Sequence, residues 1–170
     1  MTKLSRDNDM SVEEFANTLY STPISTAFRE ITWVVPFVQS VHILAIAIVI
    51  GAAIVMDLRL AGVLATDESP RTVVKRHLPW LWTALVVLLC SGTILIVAEP
   101  YRVMTNPIFW LKMGLVLLGF ILTLLFRYPA LHPEYRIEHA RLAGLLKPTA
   151  WLSLVIWIVV VFCGRWIAYL

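Results

Sequence analysis

The side chain best placed to do chemistry in this sequence is His42, set inside the apolar run Trp33 to Arg59, WVVPFVQSVHILAIAIVIGAAIVMDLR. A neutral imidazole held among helices is a good axial ligand for haem iron and a good ligand for copper. An ionisable group within a membrane span costs a few kcal/mol on insertion scales, so it normally faces protein and acts there. Two cations accompany it in other apolar runs: Lys112 in Phe109-Trp110-Leu111-Lys112-Met113-Gly114 and Arg165 in Gly164-Arg165-Trp166-Ile167-Ala168-Tyr169. In a low-dielectric site such cations require an anion. Haem propionates, a quinone oxygen or a phospholipid headgroup would serve. Gln39, one turn before His42, completes the set, with His42 the metal candidate and Gln39, Lys112 and Arg165 the cofactor contacts. Each also has a plainer reading: a histidine hydrogen-bonded to a neighbouring helix, and two long cations snorkelling to the interface.

These residues must be positioned by membrane-crossing helices. At ~1.5 Å rise per residue, Trp33 to Met56 is long enough to cross a hydrocarbon layer of ~30 Å. Three further apolar runs follow, giving spans at about 33–56, 78–98, 108–126 and 149–168. The fold expected is an all-α membrane protein, a four-helix antiparallel bundle. Residues 1–31 precede it as a tail and an amphipathic helix lying in the membrane interface. Ser11 with Glu14 forms a capping-box pattern that starts this helix, and Pro23 ends or bends it. A lid over a site between the spans is the other reading of that segment.

At about 100° per residue, Gln39, His42, Ala53 and Asp57 fall within about 60° of one another. Thr105, Lys112, Gly119 and Thr123 fall within about 40°. The two small-and-polar stripes are expected to face each other. Asp57 and Arg59 close the first span, where they can pair with each other or with other helix ends. Residues 61 to 76 read as a connection, with the turn signals Asp67-Glu68-Ser69-Pro70 and the basic residues Arg71, Lys75 and Arg76. The second span carries Cys90-Ser91-Gly92-Thr93 in its second half, small residues that allow close helix approach, and Asn106-Pro107 starts the third.

Composition excludes several classes. The chain has 170 residues, 59% of them hydrophobic, with a mean hydropathy of +0.80, far more apolar than a soluble domain. Its net charge of +3 resides mostly between spans, so nucleic acid is set aside. Cys90 and Cys163 both lie in apolar runs and indicate neither a disulfide framework nor a metal knuckle. The N-terminus lacks the apolar core of a secretory signal. No nucleotide loop, zinc-protease motif or nucleophile elbow occurs.

Eight Lys and Arg residues follow spans one and three (Arg59, Arg71, Lys75, Arg76, Arg127, Arg136, Arg141, Lys147), against four in the tail and after span two (Lys3, Arg6, Arg29, Arg102). The positive-inside rule then puts both termini on the periplasmic side of a bacterial inner membrane. His42, Lys112 and Arg165 fall toward the outer side, where they can converge on one cavity and exchange electrons with a partner protein at the outer surface. The bilayer itself is a partner, and a homo-oligomer or a larger membrane complex remains open. His77 lies at the opposite mouth, about 20 Å from the level of His42 at helical rise, and should not share its iron. His132 and His139 read as solvated.

Gln39-x-x-His42, Asp57-Leu58-Arg59-Leu60-x-Gly62, Phe109-Trp110-x-Lys112 and Gly164-Arg165-Trp166-Ile167-Ala168-Tyr169 together resemble an uncharacterised family of small bacterial inner-membrane proteins. More distantly, a histidine in span one with a lysine opening span three is similar to the membrane protoporphyrinogen oxidase of haem synthesis and to copper-resistance membrane domains. That resemblance implies haem b, carried onto His42 and Lys112. After the histidine, the oxidase's aromatic and glycine pattern is replaced here by the aliphatic run Ile43 to Ile50. The leading expectation is a b-haem-binding electron-transfer protein. The alternatives are an oxidase of a porphyrinogen or quinol, and a non-catalytic subunit or copper-handling protein.

Overall fold

A computed structural model of the chain describes residues 12–127, 131 and 143–167. Four long helices dominate: α3 (Val34–Leu60), α4 (Pro70–Ala98), α6 (Pro107–Leu122, continued by a π-helical turn, Thr123–Arg127) and α7 (Ala143–Trp166). All four are long and apolar enough to cross a membrane, and the chain is a multi-pass membrane protein. Three short helices accompany them: α1 (Val12–Tyr20), α2 (Pro23–Glu30) and α5 (Pro100–Met104).

Local chemistry sets the boundaries. Asn106 caps α6 by accepting from the Ile108 amide at 2.9 Å, with Pro107 in the first turn, where its missing N–H costs nothing. Ser69 and Pro70 do the same for α4, the Ser69 hydroxyl accepting from Thr72 N at 3.2 Å. This corrects the expected connection over residues 61 to 76, because the helix already begins at Pro70. Arg71, Lys75 and Arg76 therefore ride on its first two turns. A serine followed by proline is a helix start, and three nearby positive charges do not prevent one.

The packing order is equally specific. α3 lies closely against α4 and also against α7, while α6 packs on α7. α4 and α6 make no extended backbone approach. Their gap is bridged by side chains, with Trp82 edge-on to Phe120 at 5.4 Å between centroids. The stripe on α6 therefore turns mainly to α7, with Gly119 under the Trp157 ring. It meets the α3 stripe where Arg127, at the end of the π-helical turn, reaches Asp57. Beyond that pair the core is dry: Val49, Ala52, Ala53 and Met56 of α3, Val74, Leu78, Leu81 and Ala84 of α4, and Trp157 of α7.

α1 and α2 lie over the end of the bundle where α3 begins and α4 ends. α1 packs on α5, and α2 packs on α4 and α3. Ala16 and Ser25 are fully buried, whereas Val12, Phe15, Tyr20, Ile24 and Ile31 are exposed. The segment thus packs on the bundle end with one face and presents apolar side chains outward with the other. Its elbow is locked by Arg29, which donates to Ser25 Oγ (2.7 Å) and to the Tyr20 carbonyl (3.0 Å) and stacks on the Tyr20 ring at 3.6 Å. The capping-box serine, Ser11, lies outside the described residues.

Candidate functional site

His42 sits eight residues into α3 and Ser91 seven residues before the end of α4, so antiparallel packing brings them to one depth. Ser91 Oγ lies 2.7 Å from His42 Nδ1 and 2.6 Å from the Val87 carbonyl. A hydroxyl carries a single proton. With that proton donated to Val87, as is usual for serine inside a helix, the Ser91 oxygen accepts from the Nδ1–H of His42. This network fixes the tautomer and leaves Nε2 with its lone pair available. Gly92 is the next residue, and a Cβ there would stand 3.4 Å from His42 Cε1. The small pair Ser91-Gly92 therefore admits and orients the ring.

Lys112 reaches the same region from α6. Its Nζ lies 3.8 Å from where a Cβ on Gly164 of α7 would stand. Among the described residues no hydrogen bond or ion pair engages the Lys112 ammonium. The structure thus places Ser91 and Gly92 against His42 and Gly164 against Lys112, with His42 and Lys112 at the same end of the bundle. Gln39 and Arg165 are exposed at this end of the bundle. His77 donates Nδ1–H to the Val73 carbonyl at 2.9 Å. It lies fourteen residues from Ser91 along α4, about 21 Å at helical rise, so it is far from His42. His132 and His139 lie outside the described residues. No group of three or more His, Cys, Asp or Glu side chains able to hold a metal occurs among the described residues.

A second polar centre occupies the other end. Asp57 and Arg127, each 2% exposed, form a two-pronged ion pair: Nε to Oδ1 at 3.0 Å and Nη2 to Oδ2 at 2.6 Å. Arg127 also donates to Ser153 Oγ and Thr123 Oγ1, both at 2.8 Å. The wide i→i+5 turn over Thr123–Arg127 delays the helix rotation, which returns Arg127 to the face of Gly119 and Thr123. Beside the pair is a cavity of about 10 Å³ lined in part by Thr149, Ser153 and Leu60, near the lower limit for one water. Arg59, the alternative partner for Asp57, instead donates to the Glu68 carbonyl, its Nε at 2.9 Å.

Residues 12–170 match the family model of a family of unknown function, DUF6644. The chain belongs to that family. Searches of curated proteins and of solved structures give no match. Membership in DUF6644 covers the whole bundle and both polar centres, including His42, Lys112, Asp57 and Arg127.

Sequence reasoning missed two partners, Ser91 for His42 and Arg127 for Asp57. A signal for each was present. Ser91-Gly92 is a small polar step in an apolar run at the depth of His42, and Asp57 and Arg127 close the same-side ends of the parallel spans one and three.

Proposed function

We propose that the chain is a b-haem-binding redox protein of the bacterial inner membrane, in which His42 Nε2 would hold the haem iron. The observation that carries this reading is the Ser91 hydrogen bond to Nδ1. A ligating histidine almost always engages its other ring nitrogen, which fixes ring orientation and raises the basicity of the ligand. Lys112, an ammonium without a counter-ion among the described residues, suits a propionate. Gln39 and Arg165 lie exposed at the same end and suit the rim of the site. Bound haem would supply one-electron transfer, and this chain's residues orient the ligand, neutralise the anionic edge and keep the interior dry.

The positive-inside asymmetry supports periplasmic termini, with α1, α2 and α5 at the outer surface where a redox partner would dock. A second reading, oxidation of a quinol or a porphyrinogen, draws on the same nitrogen, since a free Nε2 lone pair also accepts a proton. The copper-handling reading gains less, because ligation by more than His42 has no cluster behind it among the described residues. An absorption spectrum tests the leading reading. A Soret band in the purified or haem-supplemented protein, lost in His42→Ala, supports it. A wild-type protein that takes up no haem removes it.

A further inference from the structure

α2 is inside out for a helix that faces water. At about 100° per residue, Ser25 and Arg29 share one side of it, while Ile24 and Ala27 lie about 100° and 160° round from Ser25. Ser25 is fully buried and its hydroxyl accepts from Arg29 at 2.7 Å, and Arg29 also donates to the Tyr20 carbonyl at 3.0 Å. Ile24 is 64% exposed, Ala27 is exposed, and Ile31, which closes the helix, is 44% exposed. In water an amphipathic helix turns its apolar side to the core and its polar side out. Here the polar side is packed on the bundle and the apolar side is outermost.

The apolar surface continues along the chain. Trp33 (65% exposed) and Phe37 (59% exposed) come next, edge to face at 6.1 Å, where α3 begins. α3 is long and apolar enough to cross a membrane, so its outward side chains face lipid. Trp33 and Arg59 are 26 residues apart, about 39 Å at helical rise, against ~30 Å for the hydrocarbon layer. Trp33 therefore belongs to the boundary between headgroups and acyl chains, where tryptophan is enriched. α2, joined to it through Ile31 and Thr32 and packed on the start of α3, is at that level.

Whatever covers this face must be apolar and need no hydrogen bonds, because the side chains of Ile24, Ala27 and Ile31 offer none. Acyl chains meet that description and already surround the neighbouring helix. A protein interface carries about one hydrogen bond per 100–200 Å², which this face does not supply. The one charge nearby, Glu30, is about 120° round from Ile24 and can stay among the headgroups. We propose that α2 lies in the headgroup layer with Ile24, Ala27 and Ile31 seated among the phospholipid acyl chains around the start of α3. Lipid then holds the helix from outside while Ser25 and Arg29 hold it from within. This anchoring is independent of any cofactor at His42.

The test uses the full chain in liposomes of phosphatidylcholine and phosphatidylglycerol. Cys90→Ala and Cys163→Ala remove the native thiols, and one nitroxide at a time is attached through Ile24→Cys, Ala27→Cys or Ile31→Cys. Phe37→Cys is the lipid-facing reference, and Asn17→Cys, exposed on the polar side of α1, is the water-facing one. Power saturation compares collision with dissolved oxygen and with a water-soluble nickel chelate. Oxygen should win at all three α2 positions, at a depth of about 5–10 Å inside the headgroup boundary, and the chelate should win at Asn17. Should the thiol-free chain not fold, the wild type decides: a phospholipid with a diazirine on its acyl chain should leave adducts on residues 24–31. The inference is overturned by α2 nitroxides that favour the chelate as Asn17 does, which puts the face in water. Exclusion of both relaxers with spin–spin broadening also overturns it, because a second copy then covers the face. So does a wild type photolabelled on its spans and not on residues 24–31.

Discussion

The Asp57–Arg127 pair gives the sharpest stability prediction. In Asp57→Ala the guanidinium, 2% exposed, keeps Thr123 and Ser153 but loses its counter-ion and two of its four hydrogen bonds. Arg127→Met leaves the mirror fault, a carboxylate buried between helices. Breaking a buried pair from one side costs about 3–5 kcal/mol, because the remaining charge stays uncompensated. At 1.4 kcal/mol per decade, that is a roughly 150- to 4,000-fold change in the unfolding constant. The double variant removes both charges, and buried pairs replaced by apolar groups are often neutral or better. It should be more stable than either single variant, with a coupling energy of about 2 kcal/mol or more. Reversible unfolding in mixed micelles, at rising mole fraction of denaturing detergent, measures all four corners of the cycle. Single variants costing under about 1 kcal/mol, with additive effects, would refute the reasoning that this pair ties α3 to the end of α6 and, through Ser153, to α7.

Other substitutions separate local roles. Ser91→Ala should leave the bundle folded but release His42 Nδ1, lowering haem affinity about 10- to 100-fold as outer-shell losses do; a haem titration reads this. Gly119→Ala brings a methyl to 3.2 Å of the Trp157 ring, and such overpacking should cost about 1–3 kcal/mol in the same unfolding assay. Arg29→Ala removes the elbow between α1 and α2. Faster amide hydrogen exchange confined to residues 12–30, with the spans unchanged, is the expected result.

The four spans were legible because length and hydropathy alone decide them. Their neighbours were not. Helical periodicity says which residues share a face, as with Gly119 and Thr123, but not which helix that face meets, and here α7 lies against the stripe assigned to α3. The start of α4 was misplaced because Arg71, Lys75 and Arg76 resemble a loop in composition, although Ser69 and Pro70 carried the capping information. His42 and Lys112 were found from their rarity in apolar runs. Ser91 escaped because serine is common in spans. Arg127 escaped because it ends its span, where a lone basic residue looks like a topology signal. Its inward turn depends on the π-helical step, which nothing in the local sequence announces.

The account's central claim is that His42 Nε2 is a free ligating nitrogen beside Gly92, and chemical rescue tests it most directly. His42→Gly protein is titrated with haem, with and without added imidazole, beside the wild type. The account predicts a saturable Soret band at one haem per chain in the wild type, none in the variant, and its return when imidazole enters the vacated space. Equal haem uptake by wild type and variant without imidazole would contradict it.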